Sequence, residues 1–138
     1  MPADHAHFKK ITKGCPFIMG RKSYLSEDQL LSDKLSVILT HHTTDRLHSN
    51  CIKAESLGEA LSILADEPNI FILGGGEVFR QSLSIANYIY LTLIHTIIQG
   101  DTFFPEIDKN QWKMISEDFH ESDNLNPYDY SFQKFARC

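Results

Sequence analysis

The chain has 138 residues, of which 42% are apolar and 22% are charged, and its formal net charge is −5. This length and composition predict one globular domain over residues 1–138, and the negative charge disfavours a general nucleic-acid-binding surface. No apolar run reaches the ~20 residues that a membrane span needs, and the widely spaced Cys15, Cys51 and Cys138 favour reduced thiols in a cytoplasmic protein.

Short apolar runs alternate with amphipathic segments along the chain, a pattern that predicts strands and helices of an α/β protein. Helices are predicted at residues 3–12, 21–25, 57–64 and 77–84. Strands are predicted at residues 17–19, 35–40, 70–73, 88–94, 112–120 and 130–136, and residues 41–50 form a polar loop. Strands buried on both faces favour a sheet that is parallel at its centre, with the last two strands as an antiparallel hairpin at one edge.

Local features support two of these helices and a further turn at residues 26–29. The first helix has Ala6, Phe8 and Ile11 on its predicted apolar side. Residues 56–59 have the S-x-x-E spacing of a capping box, and residues 26–29 have the related S-x-x-Q spacing.

Residues 71–81 contain the most informative pattern, an apolar run that leads through three glycines into a predicted helix. The unpaired N–H groups and the positive dipole end of such a helix attract anions, and glycine lets a ligand approach the backbone closely. The triplet alone is equally consistent with a tight turn that binds nothing. It is not a G-x-G-x-x-G dinucleotide motif, because the spacing differs and no acidic ribose partner follows.

Six segments, matched in order and spacing, resemble the dihydrofolate reductase family. They are residues 2–12, 16–23, 37–40, 72–81, 90–92 and 100–105. The resemblance implies a mixed, mostly parallel sheet flanked by helices, and NADPH-dependent reduction of 7,8-dihydrofolate to 5,6,7,8-tetrahydrofolate in one-carbon metabolism. Because the sequence begins just ahead of Asp4, the comparison also implies a truncated form without the family's first strand and active-site loop.

The resemblance implies a substrate site around Asp4. Its carboxylate would hydrogen-bond the pterin and favour protonation of the ring nitrogen beside the carbon that accepts hydride, while Thr92 would hydrogen-bond the carboxylate. From the residues alone, Asp4 is better explained as a helix-start carboxylate and Thr92 as a β-branched strand residue, whereas Phe8 fits a core residue equally well. The substrate-binding residues that the resemblance implies are His5, Phe8, Lys34 and Leu73. Of these, Lys34 stands nearest to an arginine that clamps the glutamate carboxylate of folate in the family, and lysine cannot reproduce its bidentate grip.

Two strand-to-helix turns are implied to bind NADPH. The first turn and its neighbouring loop would hold the 2′-phosphate through Gly20, Arg21, Lys22, Ser23, Thr40 and His41. The second would hold the pyrophosphate and adjoining groups through Gly74, Gly75, Gly76, Glu77, Val78, Phe79 and Gln81, with Thr102 close by. In the family the peptide bond between the first two glycines is cis. Glu77 and Phe79 stand where arginine and tyrosine are usual, which predicts weaker NADPH binding.

Two other functions are open at this point: a non-catalytic nucleotide-binding protein of the same fold, and a reductase of riboflavin synthesis, which Asp4, Phe8 and Thr92 disfavour. A metal site is not predicted, because His5 with His7 and residues 41–42 each supply only two ligands. The predicted partners are dihydrofolate, NADPH and antifolate inhibitors. No nucleic acid or membrane partner is expected, and the chain is predicted to be a monomer.

Overall fold

The structure, a computed structural model, describes residues 2–25, 31–41, 47–95 and 107–138. It divides into two compact units, Thr12–Ser84 and Met1–Ile11 with Ile85–Cys138. The single domain expected from the sequence stays a prediction. The predicted capping box at residues 26–29 and the predicted cofactor residue Thr102 both lie outside the described residues.

Helices and strands alternate through the first part of the chain, and strands dominate the second. The helices of the described residues are α1 (Pro2–Thr12), α2 (Arg21–Tyr24), α3 (Leu57–Ile63) and α4 (Gly76–Ser82). The strands are β1 (Phe17–Gly20), β2 (Ser36–Leu39), β3 (Cys51–Ala54), β4 (Phe71–Ile72), β5 (Tyr88–Ile94), β6 (Trp112–His120) and β7 (Tyr130–Arg137). None of the described helices combines the length and apolar character needed to cross a lipid bilayer.

The unit Thr12–Ser84 contains a parallel sheet with the strand order β3-β2-β1-β4. Its buried core comprises Ile18, Val37, Ala54, Leu57, Ala60 and Leu64, which come from the sheet and from α3. Because parallel strands end at the same edge, the turns after β1, β2 and β4 lie along one side of this sheet. Both glycine-containing turns that were singled out in the sequence are therefore at that edge.

The predicted capping box opens α3. The hydroxyl of Ser56 accepts the N–H of Glu59 at 3.1 Å, as the spacing predicted. The Glu59 carboxylate returns to the N–H of Glu55 at 2.9 Å, one residue before the cap. Both bonds satisfy donors near a helix end, and they fix where α3 begins after β3.

The second unit contains an antiparallel sheet with the order β5-β7-β6. The hairpin of β6 and β7 was predicted, and β5 joins it by pairing antiparallel with β7. The side chains of β5 are not buried on both faces, since Tyr88 and Tyr90 are exposed. A bulge between Met114 and Ser116 interrupts the register of β6.

Helix α1 has a half-buried side that differs from the predicted apolar side. Ala6 is exposed, which contradicts its predicted place against the core. The half-buried residues are Ala3, Asp4, His7, Phe8 and Ile11. At 100° per residue they occupy one continuous arc, so two polar side chains share the inward side with the apolar ones.

Candidate active site

Asp4 and Thr92 form a hydrogen bond between α1 and β5. The hydroxyl of Thr92 donates to Oδ1 of Asp4 at 2.7 Å. Both side chains are half-buried. Among the described residues, Thr92 is the one hydrogen-bond partner of the carboxylate. A carboxylate in this position can accept further hydrogen bonds from a ligand with paired N–H donors.

His7 is a neighbour of this pair that sequence reasoning missed. Its ring stacks on Phe132 with the ring centroids 3.8 Å apart and the planes 7° from parallel. Phe132 lies directly opposite Thr92 in the sheet, so His7 and Asp4 contact adjacent strands from one helix. Burial lowers the pKa of His7, and the nearby Asp4 partly opposes this effect. The available sequence signal was its position three residues after Asp4, which places both on one side of a helix.

The other predicted residues of α1 differ in their placement. Phe8 is half-buried on the same side as Asp4, which is compatible with a core residue and with a ligand contact. His5 is exposed, so α1 does not bring it to the side that carries Asp4.

The glycine-rich turn packs against the turn that follows β1. The Gly74–Gly75 peptide bond is cis, as the resemblance implied. Gly74 has a φ of +115°, and a Cβ there would lie 3.0 Å from Cε2 of Phe79, so only glycine fits without strain. The Gly20 N–H donates to the Gly74 carbonyl at 2.6 Å, and the Ser23 hydroxyl lies beside Gly74. The structure thus brings together residues that are about fifty positions apart in the sequence.

The hydrogen bonds of this turn decide which N–H groups are available. The Gly20 N–H donates to the Gly74 carbonyl, so it is not one of the N–H groups open to a ligand. The first bond of α4 runs from the Phe79 N–H to the Gly75 carbonyl. The N–H groups of Gly76, Glu77 and Val78 therefore precede the helical ladder, and they have no backbone partner among the described residues. A Cβ built on Gly75 would meet nothing within 4 Å, so its backbone has open space beside it.

Charges of both signs surround these turns. The Glu77 carboxylate is exposed and pairs with Arg80 at 3.1 Å, and Gln81 lies 3.5 Å from it. Arg80 was not predicted as a site residue, although its spacing from Glu77 is that of a helical ion pair. At the start of α2, Arg21 is half-buried and Lys22 is exposed.

The remaining predicted residues of this unit lie at or near the sheet. Thr40 directly follows β2 and is buried, and its N–H donates to the Ala54 carbonyl at 2.9 Å. The next residue, His41, is exposed. Leu73 is half-buried and donates its N–H to the Ile18 carbonyl at 2.9 Å. Lys34 forms an ion pair with Glu67 at 2.8 Å, which directs its ammonium to a protein carboxylate.

In the ranges that the structure describes, no three His, Cys, Asp or Glu side chains are grouped to hold a metal ion.

The family model for dihydrofolate reductase matches residues 1–137. The chain belongs to the dihydrofolate reductase family. It is therefore an NADPH-dependent oxidoreductase that reduces dihydrofolate, as the resemblance implied. The family assignment favours this function over a non-catalytic binding protein or a reductase of riboflavin synthesis.

Relatives with this activity align over nearly the whole chain. A dihydrofolate reductase of Bacillus subtilis is 34% identical, and the match covers 99% of this chain and 81% of the relative. One from Haemophilus influenzae is 36% identical, with 99% and 84% covered. Among solved structures, the dihydrofolate reductase from Enterococcus faecalis complexed with NADP(H) and RAB-propyl has a TM-score of 0.87 at 27% identity, covering 99% of this chain and 82% of that one. The mixed α/β fold class predicted from the sequence is confirmed.

Proposed function

We propose that Asp4 and Thr92 receive the pterin ring of 7,8-dihydrofolate in this reductase. The observation that carries the proposal is the 2.7 Å hydrogen bond from Thr92 to a half-buried carboxylate. That bond occupies one oxygen of Asp4 and restrains its rotation, so the carboxylate can accept ligand N–H donors in a fixed orientation. Hydrogen bonds to an ionised acceptor are among the stronger ones in proteins, which suits recognition of a ring with several donors.

The same residues support the proton step. Asp4 accepts the amino and ring N–H groups of the pterin and stabilises the positive charge that develops when the neighbouring ring nitrogen is protonated. Thr92 holds the carboxylate against β5 during this step. NADPH, when bound, supplies the hydride.

The glycine-rich turn fits the pyrophosphate of NADPH. Its open backbone at Gly75 and the N–H groups of Gly76, Glu77 and Val78 suit an anion. The remaining groups that would contact the cofactor are Gly20, Arg21, Lys22, Ser23, Thr40, His41, Gly74, Phe79, Gln81 and Thr102. Glu77 adds a negative charge beside the proposed pyrophosphate, and Arg80 only partly offsets it because both side chains are exposed.

The folate tail would be held less firmly than the pterin. Lys34 is the proposed cation for the glutamate carboxylate, but it must leave or share its 2.8 Å contact with Glu67. The family resemblance implies Phe8 and Leu73 as apolar contacts of the substrate's rings. Because Lys34 is already paired with Glu67, we expect Asp4 to contribute more specificity than the tail does.

Replacing Asp4 by asparagine tests this proposal, because Asn keeps the shape and removes the charge. We expect kcat with dihydrofolate to fall by about 10²–10³-fold, the range typical of a lost group that stabilises transition-state charge. NADPH-dependent loss of dihydrofolate absorbance measures the turnover, and calorimetry measures NADPH binding. Asp33→Asn, at an exposed position, is the matched control and should retain wild-type rates.

Two results would count against the assignment. Wild-type turnover in the Asp4→Asn variant would remove Asp4 from the proton step. Tight NADPH binding by the wild-type chain with no turnover of dihydrofolate would favour the non-catalytic alternative.

The composition also supports proposals on partners and location. We infer a monomeric cytoplasmic enzyme that binds antifolate inhibitors in the pterin site and that interacts with neither nucleic acid nor membranes. The net charge of −5 disfavours association with polyanions.

A further inference from the structure

The loop between β6 and β7 is bonded to the beginning of α1. The side-chain oxygen Oδ1 of Asn126 accepts the backbone N–H of Ala3 at 3.0 Å. Ala3 directly precedes Asp4, and Asn126 is only 5% exposed. A residue 123 positions away therefore satisfies one of the N–H groups that a helix leaves unpaired in its first turn.

The orientation of the Asn126 amide is fixed by Asp123. Oδ1 of Asp123 accepts the Nδ2 group of Asn126 at 3.0 Å and its backbone N–H at 2.8 Å. The Asp123 N–H in turn donates to the Asn126 carbonyl at 2.8 Å. With Nδ2 directed to a carboxylate, Oδ1 is the atom that remains for Ala3, so the two ends of the amide have distinct roles.

The carboxylate of Asp123 is well suited to this role. It also accepts the N–H of Leu125 at 2.9 Å. These three donors lower the pKa of Asp123, which favours the ionised form of the acceptor.

Three contacts then fix the first turns of α1 on one side. Asn126 binds the backbone of Ala3, Thr92 binds the side chain of Asp4, and Phe132 stacks on His7. The Thr92 and Phe132 contacts restrain side chains, whereas the Asn126 contact restrains the backbone of the residue before Asp4. Loss of the Asn126 bond would let the helix end fray, and the carboxylate would then sample positions that the Thr92 bond alone does not exclude.

We propose that Asn126 is a positioning residue for dihydrofolate reduction, which caps α1 from the β6–β7 loop and thereby sets the place of the Asp4 carboxylate. The inference rests on the proposed role of Asp4. Asp123 acts together with Asn126, because its carboxylate orients the Asn126 amide.

Removal of the amide by Asn126→Ala tests the inference. We expect kcat/KM for dihydrofolate to fall about tenfold, with KM for NADPH changed less than about twofold. In the same variant the Ala3 amide and the Asp4 carboxyl carbon should change their NMR chemical shifts at neutral pH. Asn124→Ala, at an exposed position in the same loop, is the matched control and should change neither rate nor shift.

An exchange variant separates positioning from general stability. Combining Asn126→Asp with Asp123→Asn keeps an oxygen for the Ala3 N–H and an amide–carboxylate pair between the two positions. It should restore both the Asp4 carboxyl shift and kcat/KM, and it provides the measurement if Asn126→Ala does not fold.

Other outcomes would overturn the inference. Unchanged Ala3 and Asp4 resonances in Asn126→Ala would overturn it. Equal losses of kcat/KM for dihydrofolate and for NADPH would also overturn it if the exchange variant fails to restore them. The NMR measurement requires no turnover, so it still reports on Asn126 if the Asp4→Asn experiment removes Asp4 from the proton step.

Discussion

At the scale of single residues, His7 places a half-buried imidazole one helical turn after Asp4. Burial lowers its pKa below the usual value of 6.5, while Asp4 and Asp118 act in the opposite direction and Lys10 and His120 act with burial. In the unfolded chain the imidazole would titrate near its usual value. The folded state therefore binds fewer protons than the unfolded state just below that value, and stability must decrease as the pH falls.

Replacing His7 by phenylalanine should remove this dependence while keeping an aromatic ring on Phe132. We expect the wild-type free energy of unfolding to be fully maintained above about pH 6.5 and to decline below it, because the unfolded imidazole binds a proton there that the folded imidazole does not. The His7→Phe variant should decline less over the same range. Urea midpoints between about pH 5 and 8 measure the difference.

The exposed His5 on the same helix offers a control. His5→Gln should follow the wild-type curve, because the ring that stacks on Phe132 is still present. Parallel curves for wild type and His7→Phe would show that His7 does not contribute to the acid sensitivity.

At the scale of elements, the geometry of the glycine-rich turn sets the start of α4. Gly74 needs a positive φ and lies against the Phe79 ring, whereas Gly58 in α3 has neither constraint. Substitution by alanine should therefore have different effects in these two places. Comparing the two substitutions tests whether the geometry of this turn, and not merely the presence of a glycine, determines the free energy of unfolding and the NADPH affinity.

Gly74→Ala should lower the free energy of unfolding by about 1–3 kcal/mol, because alanine is strained at this φ and its Cβ meets Phe79. NADPH affinity should fall with it if the turn holds the pyrophosphate. Gly58→Ala should be neutral or stabilising by up to about 1 kcal/mol, since alanine favours helix. Chemical denaturation and calorimetry measure both quantities, and equal effects at the two glycines would contradict the expectation.

The sequence predicted most elements where the apolar pattern is long. The observed bounds of β5 and β6 match those predicted, and α3 begins at its capping box. Strand β3 was missed because its four residues mix polar and apolar side chains and only Ala54 is buried. The pairing of β5 with β7 could not be read either, since it joins Tyr88 to Ala136 across most of the second unit.

The site was predictable only where family motifs marked it. Asp4 and Thr92 are 88 positions apart, and no local pattern joins them, so the resemblance alone supplied the pair. The roles of His7 and Asn126 were not predicted, because polar residues in a helix and in a loop usually face solvent. Their roles depend on tertiary contacts to Phe132 and Ala3 that no local periodicity encodes.

At the scale of the whole molecule, the two units raise the question of cooperativity. If residues 1–138 are one domain, both units should unfold together. Trp112 is the single tryptophan of the chain and lies buried in the antiparallel sheet, so its fluorescence reports one unit. Far-UV circular dichroism reports the helices and strands of both. We expect the two probes to give the same urea midpoint, and separate midpoints would indicate independent unfolding.

The bulge in β6 has a consequence for behaviour at high concentration. β6 stands at the end of the strand order among the described residues, and its side chains from Lys113 to Phe119 are exposed. A regular edge of this length would be a template for intermolecular strand addition. The irregularity beside Ile115 interrupts the repeat of N–H and C=O groups, and Lys113, Glu117 and Asp118 add charges that a second strand would have to desolvate. The bulge and these charges therefore disfavour intermolecular strand addition at this edge.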